Sequence, residues 1–146
     1  MIWRAATEAD IPAVVALLRD DILGQGRERS DLQTYRDAFA AMRAEGANHL
    51  IVADDAGEVI ACYQLTFISG LSLSAARRAQ VEGVRVRADW RGGGLGTALM
   101  QDAEARARTA GCALLQLTTN RARGDAHRFY GRLGFTPSHI GYKKPL

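Results

Sequence analysis

The chain has 146 residues, 47% hydrophobic and 24% charged, with a formal net charge of +3. That is the size and balance of one globular domain, 1–146, which can build its core without disulfides or a metal. No apolar run approaches the ~20 residues that cross a bilayer, and a charge of +3 is too small to argue for nucleic acid.

Met1-Ile2-Trp3-Arg4 enters a strand-like pattern with no apolar leader, so a cytoplasmic rather than a secreted protein is expected. Cys62 and Cys112 lie in apolar stretches and form no C-x-x-C, and read as two buried, reduced thiols. His49 and His139 have no Cys or carboxylate companions at ligand spacing, so no metal site is expected. Only Lys143 and Lys144 are lysines; the remaining basic charge is arginine, most of it solvated and some of it suited to phosphate.

In chain order, residues 2–6 predict a strand, and Thr7-Glu8-Ala9-Asp10 a helix start of capping-box type, or one capped by Asp10 itself. Ile11, Val14, Val15, Leu18 and Ile22 follow helical spacing. Residues 20–30 read as a loop. Ser30 or Asp31 can cap a second helix bearing Leu32, Tyr35, Phe39 and Met42, which Gly46 ends. Residues 49–54 and 59–68 predict a hairpin around Asp55-Ala56-Gly57-Glu58, and 69–79 a small polar loop.

The alternating run Val81-Glu82-Gly83-Val84-Arg85-Val86 predicts a strand, and residues 95–110 a helix stopped by Gly111. On that helix Leu95, Leu99, Ala103 and Ala107 form one inward face, while Glu104 and Arg108 pair outside. Residues 113–118 predict a strand and 125–133 a last helix stopped by Gly134. Residues 135–137 and 139–143 read as a terminal hairpin. The pattern is a mixed α/β layer with helices on both faces of one sheet.

Between the strand that starts at Val81 and the following helix lies Arg91-Gly92-Gly93-Gly94-Leu95-Gly96-Thr97. Its glycines leave backbone N–H groups uncovered at the positive end of a helix, a site for phosphate or pyrophosphate. It has neither the Lys-Ser/Thr of a P-loop nor the G-x-G-x-x-G spacing of a dinucleotide loop. Arg91-x-x-Gly94-x-Gly96 does match R/Q-x-x-G-x-G/A, the acyl-CoA pyrophosphate loop of the GNAT acetyltransferase superfamily. Ala126-His127-Arg128-Phe129-Tyr130-Gly131-Arg132-Leu133-Gly134-Phe135 is similar to that superfamily's A-x-x-F-Y-x-x-L-G-F segment.

The resemblance covers essentially the whole chain. It implies a mostly antiparallel mixed sheet of six to seven strands with about four helices, and central strands that splay around the cofactor. It implies transfer of an acetyl group from acetyl-CoA to a primary amine of a small molecule. A peptide amine, or a non-catalytic module that only binds acyl-CoA, is the alternative. No nucleic acid or membrane partner is implied, and a homodimer is left open.

Glu82 is the candidate base: alternation puts it in phase with Val84 and Val86, a carboxylate on an apolar face whose burial would suit it to take a proton. The plainer reading is an ion pair with Arg85 or Arg87. Tyr130 is the candidate acid for the leaving thiolate, against an aromatic packed at the sheet edge. The resemblance gives the backbone N–H groups of Val84 and Val86 to the pantetheine arm and thioester carbonyl. It places Asn120 and His127 near the cofactor; the plainer readings are a loop amide serving its own backbone and a solvated histidine. Asp21, Glu28, Asp31 and Tyr35 lie where the superfamily shapes its acceptor site, and their carboxylates suit a cationic amine as well as they suit water.

Overall fold

The computed structural model describes residues 1–20, 26, 28 and 31–146. They form two compact units, Met1–Gln116 and Leu117–Leu146. The strands are β1 (Ile2–Ala5), β2 (Asn48–Asp55), β3 (Glu58–Ile68), β4 (Arg78–Val86) and β5 (Leu114–Leu117). Among the described residues the helices longer than one turn are α1 (Ile11–Arg19), α2 (Leu32–Glu45), α3 (Leu95–Thr109) and α4 (Gly124–Arg132). The five strands make one sheet in the order β1-β2-β3-β4-β5.

Strands β1 to β4 are antiparallel neighbours. Ala113 N–H donates to Arg77 O at 2.7 Å and the Gln116 amide to Gln80 Oε1 at 2.8 Å. Those contacts advance together along both strands, so β5 runs parallel to β4, as a crossover through a helix requires. The β2–β3 hairpin turns through Ala56 and Gly57, with Asp55 opposite Glu58.

Helix α1 starts where Asp10 accepts the Thr7 N–H at 2.7 Å, with Pro12 in the first turn. Ile11, Val14, Val15 and Leu17 are buried; Leu17 takes the inward place expected for Leu18, which is half-buried, and Ile22 lies outside the described residues. Asp31 caps α2 by accepting Gln33 N–H at 2.9 Å, Phe39 is the buried residue of that helix, and Gly46 follows its end.

The helices do cover both faces of the sheet. Cys62 packs with Val52 against Val14 and Leu17 of α1, whereas the hydroxyl of the next residue, Tyr63, donates to Asp102 of α3 at 2.5 Å. Successive side chains on a strand point to opposite faces, so α1 and α3 lie on opposite sides. Helix α3 buries Leu95, Leu99, Ala103 and Ala107 together with Met100, and Arg108 pairs with Glu104 outside.

Three expectations are corrected. β4 begins at Arg78, inside the stretch read as loop, because Ile68 and Phe67 pair with Arg78 and Ala79 across the ladder whatever their local pattern. No strand occurs over residues 135–146, so the sheet has five strands rather than six or seven. A strand needs a ladder, and the backbone bonds here are local, from Phe135 N–H to Tyr130 O and Ser138 N–H to Thr136 O. Cys112 is only half-buried, while Cys62 is fully buried.

Candidate active site

The sheet carries a bulge where the candidate site begins. Cys62 faces Arg85 but Gln64 faces Glu82, so the one residue between them on β3, Tyr63, opposes two on β4, Gly83 and Val84. Gly83 is the extra residue, at φ +60°, a left-handed backbone that favours glycine. One inserted residue reverses the phase of everything after it.

Glu82 therefore does not share a face with Val84 and Val86, and the burial expected of it is absent: its side chain is exposed. It stands opposite Gln64, on the face where Cys62 meets α1, in phase with Gln80 and Arg78. The ion pair with Arg87 is absent too, since Arg87 pairs with Asp89 at 2.7 Å and Glu58 at 2.9 Å. The Glu82 side chain forms no hydrogen bond or ion pair among the described residues.

That face is polar beside Glu82. Asn48, Thr66 and Gln80 lie in register across β2, β3 and β4, and Gln116 of β5 continues the row. Asn48 Oδ1 accepts from Gln64 at 2.8 Å and from Thr66 at 3.2 Å. Apolar side chains would normally seal such a surface, and here amides and a hydroxyl occupy it instead.

Past the bulge, Arg87 N–H donates to Ile60 O at 2.8 Å, and Val86 stands opposite Ala61. Alternate N–H groups of a strand point to opposite edges, so the Val86 N–H turns away from β3. Val84, within the bulge, has no partner on β3.

Arg91 closes the strand end. It donates from Nε to Val86 O at 3.0 Å and from Nη2 to Asp20 O at 3.0 Å, which ties β4 to the end of α1. The loop then enters α3 with Gly94 as its N-cap at φ +86°, a second position whose backbone suits glycine. The first helical bond is Ala98 N–H to Gly94 O at 3.1 Å. Among the described residues no backbone carbonyl accepts from the N–H groups of residues 92–97. The Gly92, Gly93, Gly94, Gly96 and Thr97 main chain is open, while Leu95 anchors the turn by its buried side chain. Among the described residues, a Cβ at Gly92 or Gly94 would meet nothing within 4 Å. These donors fit a pyrophosphate.

Asn120, His127 and Tyr130 belong to the second unit. Asn120 Oδ1 accepts Ala122 N–H at 2.9 Å, and its carbonyl accepts from Arg123 N–H and from His127 Nε2, each at 3.0 Å. Both side chains thus bond within the turn before α4. Tyr130 is half-buried, edge-on to Phe129 and Phe135 with ring centroids at 5.2 and 5.8 Å.

Of the acceptor-side candidates, Asp21 lies outside the described residues. Tyr35 donates to Glu28 at 2.7 Å, and Asp31 serves as the α2 cap, also accepting from Thr34 at 2.8 Å. The bulge was the feature missed by alternation; a glycine inside a strand pattern was its signal. The row of Asn48, Thr66, Gln80 and Gln116 was missed because it spans four strands.

Two buried groups are structural. Burial pushes the Cys62 thiol up to about 12, which keeps it protonated and inert. Burial first, and then the bond to Asp102, raises the Tyr63 phenol well above its ordinary value.

Known proteins resemble this chain over its whole length. A curated relative from Salmonella typhimurium, an aminoalkylphosphonate N-acetyltransferase, is 35% identical over 143 residues, 98% of this chain and 90% of that protein. A solved structure from Bacillus halodurans, described as a transcriptional regulator, superimposes with a TM-score of 0.94 at 41% identity over 99% of each chain. An Agrobacterium tumefaciens structure described as a putative acetyltransferase gives 0.89 at 27% identity, covering 100% of both chains. No described helix is long and apolar enough to cross a membrane. Residues 13–135 match the model of the acetyltransferase (GNAT) family, and the chain belongs to that family.

Proposed function

We propose that this protein transfers the acetyl group of acetyl-CoA to the primary amine of a small molecule. The observation that carries the reading is a bulged strand bearing Glu82 that runs directly into a glycine loop with free N–H groups. The acetyl thioester supplies the acyl group and a thiol leaving group. The chain's own residues supply position and protons.

N–H groups of residues 92–97 hold the pyrophosphate, and those of Val84 and Val86 orient and polarise the acyl carbonyl. Glu82, exposed on a polar face, takes the ammonium proton directly or through one water, since an alkyl ammonium has a pKa near ~10.4. Tyr130 holds the proton that the leaving sulfur needs. Its assignment rests on its place in the Ala126–Phe135 motif. The named activity of the Salmonella relative supports a small acceptor over a peptide.

A panel of small amines and a peptide amine, incubated with acetyl-CoA and followed by free thiol release, tests the reading. Release with a small amine and not with the peptide is expected. CoA binding without release on any amine would leave a binding module.

A further inference from the structure

We propose that Arg78 selects the acceptor, by binding the anionic end of a short zwitterionic amine whose ammonium lies toward Glu82. This rests on the acetyl-transfer reading above.

Arg78, Gln80 and Glu82 stand opposite Ile68, Thr66 and Gln64, so all three occupy the face on which Cys62 meets α1. At ~3.3 Å per residue, Arg78 and Glu82 are ~13 Å apart along β4. The Arg78 guanidinium lies beside Gly70, with Nη1 3.4 Å from where a Cβ there would stand, and its rotation toward Gln80 would narrow that span to one that a short aminoalkyl chain bridges. Gln80, held by Gln116 at 2.8 Å, lies between them and adds polar groups to the middle. Positive and negative groups thus stand at the two ends of one polar strip.

The neighbouring arginine shows what a structural role looks like. Arg77 points to the opposite face, donates to Ala110 O at 2.6 Å and lies 5.1 Å from the Phe67 ring centre. Arg78 is half-buried, yet its side chain forms no hydrogen bond or ion pair among the described residues. Its ladder partner Ile68 and its chain neighbour Ala79 offer no side-chain acceptor. A partly desolvated guanidinium without a counter-charge is costly to keep, and an anion removes that cost. Its fork of donors matches a phosphonate or a carboxylate through two parallel bonds.

The test compares wild type, Arg78→Gln and Arg78→Lys with acetyl-CoA and four amines of matched length. These are an aminoalkylphosphonate, an aminoalkyl carboxylate, an amino alcohol and a diamine. Wild type is expected to favour an anionic amine, and which of the two it favours identifies the anion. In Arg78→Gln the ratio of kcat/KM for that amine over the amino alcohol should collapse at least tenfold, through KM. Arg78→Lys should recover part of the ratio, because it restores charge without the fork, and it serves if the glutamine variant fails to fold. A ratio unchanged in both variants, or a wild type indifferent to the anion, overturns the role of Arg78 and leaves acetyl transfer standing. No thiol release by wild type on any amine overturns the transfer reading, and this proposal with it.

Discussion

Glu82 and Arg85 lie on the same face of β4, although strict alternation would put them on opposite faces, because Gly83 is an extra residue in the ladder. Glu82 stands opposite Gln64, in phase with Gln80, and is exposed. A carboxylate there can exchange protons with water or an acceptor amine.

Glu82→Gln separates chemistry from structure. In wild type kcat/KM for the amine should rise with pH through an ionisation; in the variant that limb should be lost or displaced upward. Activity should partly return at high pH, where the amine deprotonates unaided. Stability should change by less than ~0.5 kcal/mol, the usual range for an exposed site. Identical pH–rate profiles would remove Glu82 as the base.

Gly96→Val probes the loop. Gly96 lies in the first turn of α3 and is not at positive φ, so the fold should survive the substitution. A branched side chain beside the free N–H groups should weaken CoA binding at least tenfold, about 1.4 kcal/mol. Calorimetric titration of both proteins measures this, and equal affinities would place the pyrophosphate elsewhere.

Tyr130→Phe keeps the ring contacts with Phe129 and Phe135 and removes only the hydroxyl. CoA affinity should hold while kcat falls about 10²-fold, the low end for a proton-transfer role. Equal turnover would mean that another group protonates the sulfur.

Asp10 makes a prediction about acid stability. Hydrogen bonds from Arg4, at 2.7 and 2.9 Å, hold its carboxyl at about 2, below the ordinary 3.8. Burial opposes that shift and the Thr7 backbone N–H adds to it. The folded value is depressed, so the stabilisation is complete above the ordinary value and fades as pH falls from about 3.8 to 2. Asp10→Asn should cost about 2 kcal/mol at neutral pH and progressively less across that window. Urea denaturation at several pH values measures it; a difference independent of pH would exclude the pair.

The two motifs that identify the family are contiguous in the chain. Arg91-x-x-Gly94-x-Gly96 and the segment from Ala126 to Phe135 could be read because each is a local device, a turn with free donors and one helix with its stop. The inward face of α3 was legible for the same reason: 3.6-residue spacing is a property of adjacent turns. Strand pairing is not local. β4 reaches back to Arg78 only because Ile68 and Phe67 are there to pair with it. Residues 139–143 alternate as a strand does yet have no ladder, so they remain unpaired backbone. The face of Glu82 was decided by Gly83 standing unopposed against β3, and a one-residue insertion cannot be seen in a periodicity that assumes none. The polar row from Asn48 to Gln116 draws one residue from each of four strands, so only the assembled sheet brings it together.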